Sequence, residues 1–156
     1  MSSGGPTAEE LIADFVARTS TELAAHGFPA MPARVIMAMT ASETGQLTAE
    51  ELASQLSASP AAISGAERYL ATVGFLRQTT LPGSRRHVYT LPPTPWYTAS
   101  LTRPRIYGDI AELLASSLHL PFVPAARARI EEMVSFFHFI ERRMPELLEE
   151  WKAERD

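Results

Sequence analysis

Between residues 59 and 86 the chain carries side chains whose types and spacing suit contact with a polyanion. Ser59 and Ser64 can each donate a hydroxyl to a phosphate oxygen, and Arg68 can reach a phosphate or a guanine edge. Around them stand Ala61, Ala62, Gly65 and Thr72. A helix with this face can bring its backbone close to base edges, because no large side chain holds it off. Further on, Arg77 is followed by a tip made of Ser84, Arg85 and Arg86. Arginine at such a tip gains from the negative potential of a narrow minor groove. The chemistry these residues suggest is recognition of double-stranded DNA rather than bond making.

For that face to point outward, the helix that bears it must bury another. Ile63, Ala66, Leu70 and Val73 recur at helical period and give an inward stripe. Ser59 is placed to cap this helix, with Pro60 at its first position and Gly74 ending it. Ahead of it lies a shorter helix. Thr48 and Glu51 form a capping box, Leu47 and Leu52 sit where a hydrophobic staple would, and Leu56 extends the apolar face. Only "SAS" separates the two helices. After them come two strand-like runs, Phe75–Leu81 and Arg86–Leu91, flanking Pro82, Gly83 and Ser84, which reads as a hairpin. Helix, short joint, helix and hairpin is the order of a winged helix-turn-helix. Gly65 costs its helix about 1 kcal/mol relative to alanine, so an offsetting gain is expected outside the helix.

The flanks read as helical arms. Thr7 to His26 puts Leu11, Ile12, Phe15, Val16 and Leu23 on one side, and Gly27 stops it. A second helix is expected from about Ala33 to Ser42, with Val35, Ile36 and Met39 inward, followed by a turn at "ETGQ". Beyond the hairpin, a helix is expected to start at Thr94-Pro95 and run to about His119, burying Ile106, Ile110, Leu113, Leu114 and Leu118. Pro104 should kink that helix or begin it afresh. The last helix, Ala125 to Lys152, carries a stripe of Ile130, Met133, Val134, Phe137, Ile140, Met144, Leu147, Leu148 and Trp151, with a bend expected at Pro145. Phe136, Phe137 and Phe139 lie on more than one side of it, and a helix apolar on several sides wants several partners. The expectation is a homodimer whose arms cover one another.

Bulk properties bound the function. A chain of 156 residues is one domain, or one domain with a dimerisation arm, and needs no staples to fold. It has no cysteine, which excludes disulfides and thiol chemistry. No apolar run and no leader pattern predicts a membrane span or export, so a cytoplasmic protein is expected. "MSSGGPT" reads as a disordered leader. The net charge of −4 argues against a nucleic-acid partner, but its distribution does not. Acids gather at the two ends, whereas Arg68, Arg77, Arg85 and Arg86 outnumber Glu50, Glu51 and Glu67 in the middle.

The segments "AEELASQLSASPAAISGAERYLATVGFLRQ" and "GSRRHVYTL", with "GFPAMPARVI" ahead of them, resemble the MarR-type transcriptional regulators, the GbsR-like branch being the nearer likeness. The likeness covers about residues 27–97, and the flanking helices only by architecture. It implies a homodimer, a recognition helix at Ser59–Val73 and a wing at about Phe75–Leu91. Many MarR-type wings carry an aspartate just before the stabilising arginine, where this chain has Gly83-Ser84. The resemblance therefore leaves Arg86 without that link and available to DNA. It also implies a small-molecule effector bound where the dimer arm meets the winged domain, with Trp96, Tyr97, Tyr107, Phe137 and His138 as candidate linings.

Other chemistry has little footing. His26, His87, His119 and His138 are scattered, without metal-ligand spacing, and Glu131 and Glu132 face different ways on a helix. No nucleophile elbow or phosphate loop is present. The chain is expected to be neither an enzyme nor a holder of metal or cofactor. The expected fold is mainly α with a small β-hairpin wing: a winged helix-turn-helix plus helical dimerisation arms. Its expected divisions are residues 1–30 (an arm), 31–93 (the DNA-binding domain) and 94–156 (a C-terminal dimerisation region). A winged-helix protein-interaction module without DNA binding is the alternative reading, and a small His–Glu enzyme the third.

Overall fold

A computed structural model describes residues 5–80, 83, 86–93, 96 and 104–155. The chain divides into two compact units, Met1–Pro95 and Trp96–Asp156.

The first unit begins with α1, Ala8–Ala25. Its start is a capping box: the Thr7 amide donates to Glu10 Oε2 at 2.7 Å, and the Glu10 amide donates to Thr7 Oγ1 at 3.2 Å. Next is α2, Ala30–Ala41, which starts earlier than the sequence suggests. Pro32 falls in its first turn, where a missing N–H costs nothing. Ahead of the third helix the backbone forms a strand, β1, Gln46–Thr48, where the sequence suggests only a turn and a cap. Then come α3, Ala49–Leu56, and α4, Pro60–Thr72. Strands β2, Arg77–Thr80, and β3, His87–Thr90, complete a three-stranded antiparallel sheet in the order β1-β3-β2. The wing is thus a hairpin with a third strand added, not a bare hairpin. β1 pairs Leu47 with Tyr89, and β2 pairs Gln78 with the same Tyr89.

The core of this unit sits around α2. Val35, Ile36 and Met39 are fully buried, as are Leu52 of α3 and Ile63 and Leu70 of α4. Each such side chain contributes about 1.5–3 kcal/mol relative to exposure. The Thr48–Glu51 capping box forms as expected, and Leu47 and Leu52 are both buried. The "SAS" joint holds Ser57 in the left-handed region at φ 47°, with the Ala58 amide donating to the Ala53 carbonyl. Gly74, at φ 87°, closes α4 with the amide of Phe75 on the carbonyl of Leu70. On α1, by contrast, only Val16 and Ser20 are buried, while Leu11, Ile12 and Phe15 are exposed.

The second unit holds α5, Pro104–Ser116, and α6, Pro124–Arg155, packed on one another. Pro104 begins a helix afresh; the expected start at Thr94-Pro95 lies outside the described residues. Two helices can shield only one face each. Ala111 and Met144 are buried, and the rings of Tyr107 and Phe137 meet at 5.7 Å. The expected burial of Ile106, Ile110 and Leu113 is not met, because α6 covers only one side of α5. Met133, Phe136, Phe139, Leu147 and Trp151 also stand exposed along α6, which runs through Pro145 as one helix. Among the described residues no helix is long and apolar enough to cross a membrane.

Candidate nucleic-acid interface

The start of α4 is built by its own sequence. Ser59 Oγ accepts the Ala62 amide at 3.2 Å, which leaves its O–H free to donate outward. Pro60 has no N–H, and Ala62 is taken by the cap. The amides left at this end are those of Ser59 and Ala61, fewer than a helix start usually presents.

The outer face of α4 is as expected. Ala61, Ser64, Gly65, Arg68 and Thr72 are exposed and Ala62 is half-buried. The Thr72 hydroxyl donates back to the Arg68 carbonyl at 2.9 Å. Gly65 is the informative member. A Cβ built there meets no atom within 4 Å, and its backbone is ordinary helix. Among the described residues nothing requires glycine at this position. Tyr69, which flanks the face, packs its ring edge-on against Phe28 at 5.9 Å.

The wing supplies Arg77, exposed at the start of β2 opposite Thr90, and Arg86, exposed just before β3. Ser84 and Arg85 lie outside the described residues, as does Tyr97 of the candidate ligand lining. The expectation that Arg86 stands unpaired is overturned: its Nη1 lies 3.7 Å from Glu50 Oε2 on α3. This partner comes from a neighbouring helix rather than from the wing. Both partners are mostly exposed, so the pair contributes about 0–1 kcal/mol and can be exchanged for another anion. Glu51, beside it, is held below the usual carboxylate range by its hydrogen bonds to Thr48 and, less strongly, by the Arg86 charge.

Two residues near this site are not singled out by the sequence. Arg34 of α2 donates to the Leu56 carbonyl at 2.5 Å and so ties the core helix to the α3–α4 joint. Glu67 is buried on the inner face of α4, at 3% exposure. Burial raises its carboxyl pKa, and a hydrogen bond to Tyr89 of β3 partly offsets this. Burial, together with that bond and the carboxylate charge, pushes the Tyr89 phenol up to about 12. The signal for Glu67 was present: four positions after Ile63 is the same helix face.

Of the remaining candidate linings, Trp96 is exposed, the rings of Tyr107 and Phe137 meet at a tilt of 50°, and His138 Nδ1 lies 3.5 Å from Glu141 Oε2. A shallow open groove runs along α1 past Leu11, Asp14, Phe15, Arg18, Thr19 and Glu22.

Residues 94–154 match the model of the MmpR5-like MarR family transcriptional regulators. That match falls on the C-terminal helices, whereas the motif likeness lies ahead of it. Among solved structures, the crystal structure of a transcriptional regulator is 22% identical, with a TM-score of 0.81 over 91% of this chain and 98% of that one. The adhesin competence repressor of Streptococcus pyogenes is 19% identical, with a TM-score of 0.41 over 86% of this chain and 95% of that one. ZitR of Lactococcus lactis is 16% identical, with the same TM-score, over 86% and 97%. A search of curated protein sequences gives no match. The fold is a winged helix, and both that crystal structure and the matching family model are of transcriptional regulators.

Proposed function

We propose that this chain is a MarR-type transcriptional regulator that binds operator DNA as a cytoplasmic homodimer. Gly65 carries the reading. It weakens its own helix and serves no internal packing, so its missing side chain benefits something outside the chain. A DNA groove is such a partner: α4 enters it with Ala61, Ala62, Ser64 and Gly65 against the bases, while Ser59, Arg68 and Thr72 hold phosphates and edges. Arg77, Ser84, Arg85 and Arg86 of the wing lie on the backbone or the minor groove. The exposed apolar residues of α1 and α6 support the dimer, with residues 1–30 and 94–156 as its arms and 31–93 as the reading domain. Two-fold symmetry then sets two α4 helices on successive major grooves of a near-palindrome, about 34–36 Å apart. The motif over residues 27–97 favours a GbsR-like relation within this group, and a small effector acting on the arms would alter the spacing.

A protein-interaction module is the second reading. The net charge of −4 and the Glu50 partner of Arg86 favour it. A mobility-shift titration with the duplex upstream of the coding region separates the two. Retardation that weakens as salt rises supports the regulator; none at low salt supports the module.

A further inference from the structure

Two helices of the first unit end in the same way. α1 closes on "HGF" and α4 on "VGF". Gly27 and Gly74 take φ 91° and 87°, which a side chain would resist. Their amides donate to the carbonyls of Ala24 and Ala71 at 3.0 and 3.2 Å. The phenylalanine that follows each glycine donates further back, Phe28 to Leu23 at 3.0 Å and Phe75 to Leu70 at 2.8 Å. Each ring therefore leaves its helix end in a set direction, and the two rings meet edge-on, with centroids 5.9 Å apart at 80°. Phe28 meets a second ring, Tyr69 of α4, at 5.9 Å and 88°. We propose that Phe28 is a positioning residue that couples the arm α1 to the reading helix, through Tyr69 on α4 and through Phe75 at the root of β2. This rests on the reading that α4 meets DNA and α1 belongs to the dimer arm.

The body of α1 is lightly attached. It packs on α2, but only Val16 and Ser20 are buried. Its closed end must then do much to fix its direction. Rings suit that task, because edge-to-face contact prefers one orientation, whereas a leucine of similar bulk fills the space without one. Tyr69 is well placed to receive the constraint. It stands next to Arg68 on α4, and its own ring is partly exposed at the flank of the outward face. Phe75, by contrast, is buried, and it precedes the first residue of β2 by two positions. A displacement of α1 therefore reaches both the helix that reads and the root of the wing through one side chain.

The test uses the full chain. It has no cysteine, so Ala17→Cys on α1 and Ala71→Cys on α4, both exposed, take nitroxide labels without interference. With labelled chains diluted in unlabelled ones and no DNA present, the distance between the labels reads the placement of arm against helix. One narrow distribution is expected for the otherwise wild-type chain and for Phe28→Tyr, which keeps the ring. Phe28→Leu and Tyr69→Leu should broaden it. An unchanged distribution in Phe28→Leu overturns the proposal, and Tyr69→Leu decides the same question if Phe28→Leu does not fold. Binding to a duplex that the wild type holds is measured next. Phe28→Leu should weaken it about fivefold, the loss expected for an aromatic pair, and Phe28→Tyr should restore it. Ile36→Val, which loosens the core of α2 away from the rings, should bind as wild type. Phe28→Leu that binds as well as Ile36→Val overturns the positioning role. Distances that respond as expected in a chain that binds no duplex uphold the coupling of α1 to α4 and overturn the DNA reading instead.

Discussion

The guanidinium of Arg34 donates to the carbonyl of Leu56, the last residue of α3, at the point where the chain turns into α4. The neighbouring Ser57 adopts φ 47°, a conformation that suits glycine better. One long side chain from the core helix thus pins a strained joint at the start of α4.

Arg34→Ala should therefore cost about 1.5–3 kcal/mol in urea unfolding, the range for a hydrogen bond to a charged group. Ser57→Gly should change stability in the other direction, by about 0.5–1 kcal/mol. An Arg34→Ala midpoint equal to wild type would mean that the joint holds without it.

Gly65 offers a separation of stability from function. Gly65→Ala meets empty space and should stabilise α4 by about 1 kcal/mol, read as a raised melting temperature. The same change should weaken operator binding, and Gly65→Leu should abolish specific binding with the protein still folded. Full affinity in Gly65→Leu would remove the groove-entry argument.

The wing is tested by charge. Arg85→Ala with Arg86→Ala should weaken binding to all sequences alike and lower the slope of log affinity against log salt by about 1 or more. Glu50→Ala releases Arg86 from its carboxylate partner and should strengthen binding severalfold. An unchanged salt slope in the double variant would place the wing away from the phosphates.

Tyr89 and Glu67 give a pH signature. The folded Tyr89 pKa is about 12 against an ordinary 10, so its contribution to stability is whole below pH 10 and is lost as pH rises toward 12. Glu67, also raised, contributes fully below its ordinary 4.5 and less as pH climbs through its folded pKa. Glu67→Gln should flatten the decline in urea midpoint above pH 4.5 and bring the Tyr89 transition, followed by phenolate absorbance, down toward 10. A wild-type midpoint that rises through the same range would contradict the burial of the carboxyl.

Much of this was legible in the residues. The Thr48–Glu51 box, the Ser59 cap with Pro60 and the outward set Ala61, Gly65, Arg68 and Thr72 are all local patterns, and local patterns survive folding. β1 was missed because Gln46–Thr48 is too short to alternate and Thr48 also serves as a cap. The Arg86–Glu50 pair joins residues far apart in sequence, so no spacing announces it. The exposure of Ile106, Ile110 and Leu113 was missed for another reason: periodicity shows which face is apolar, not what covers it.

The central claim is that two copies of α4 read one duplex together. Selection of duplexes from a random pool by the purified full chain tests it directly, with the mass of the bound species measured by light scattering. The account predicts an enriched inverted repeat, half-site centres one helical turn apart, held by two chains. A single chain in solution that enriches no sequence even at low salt would contradict it.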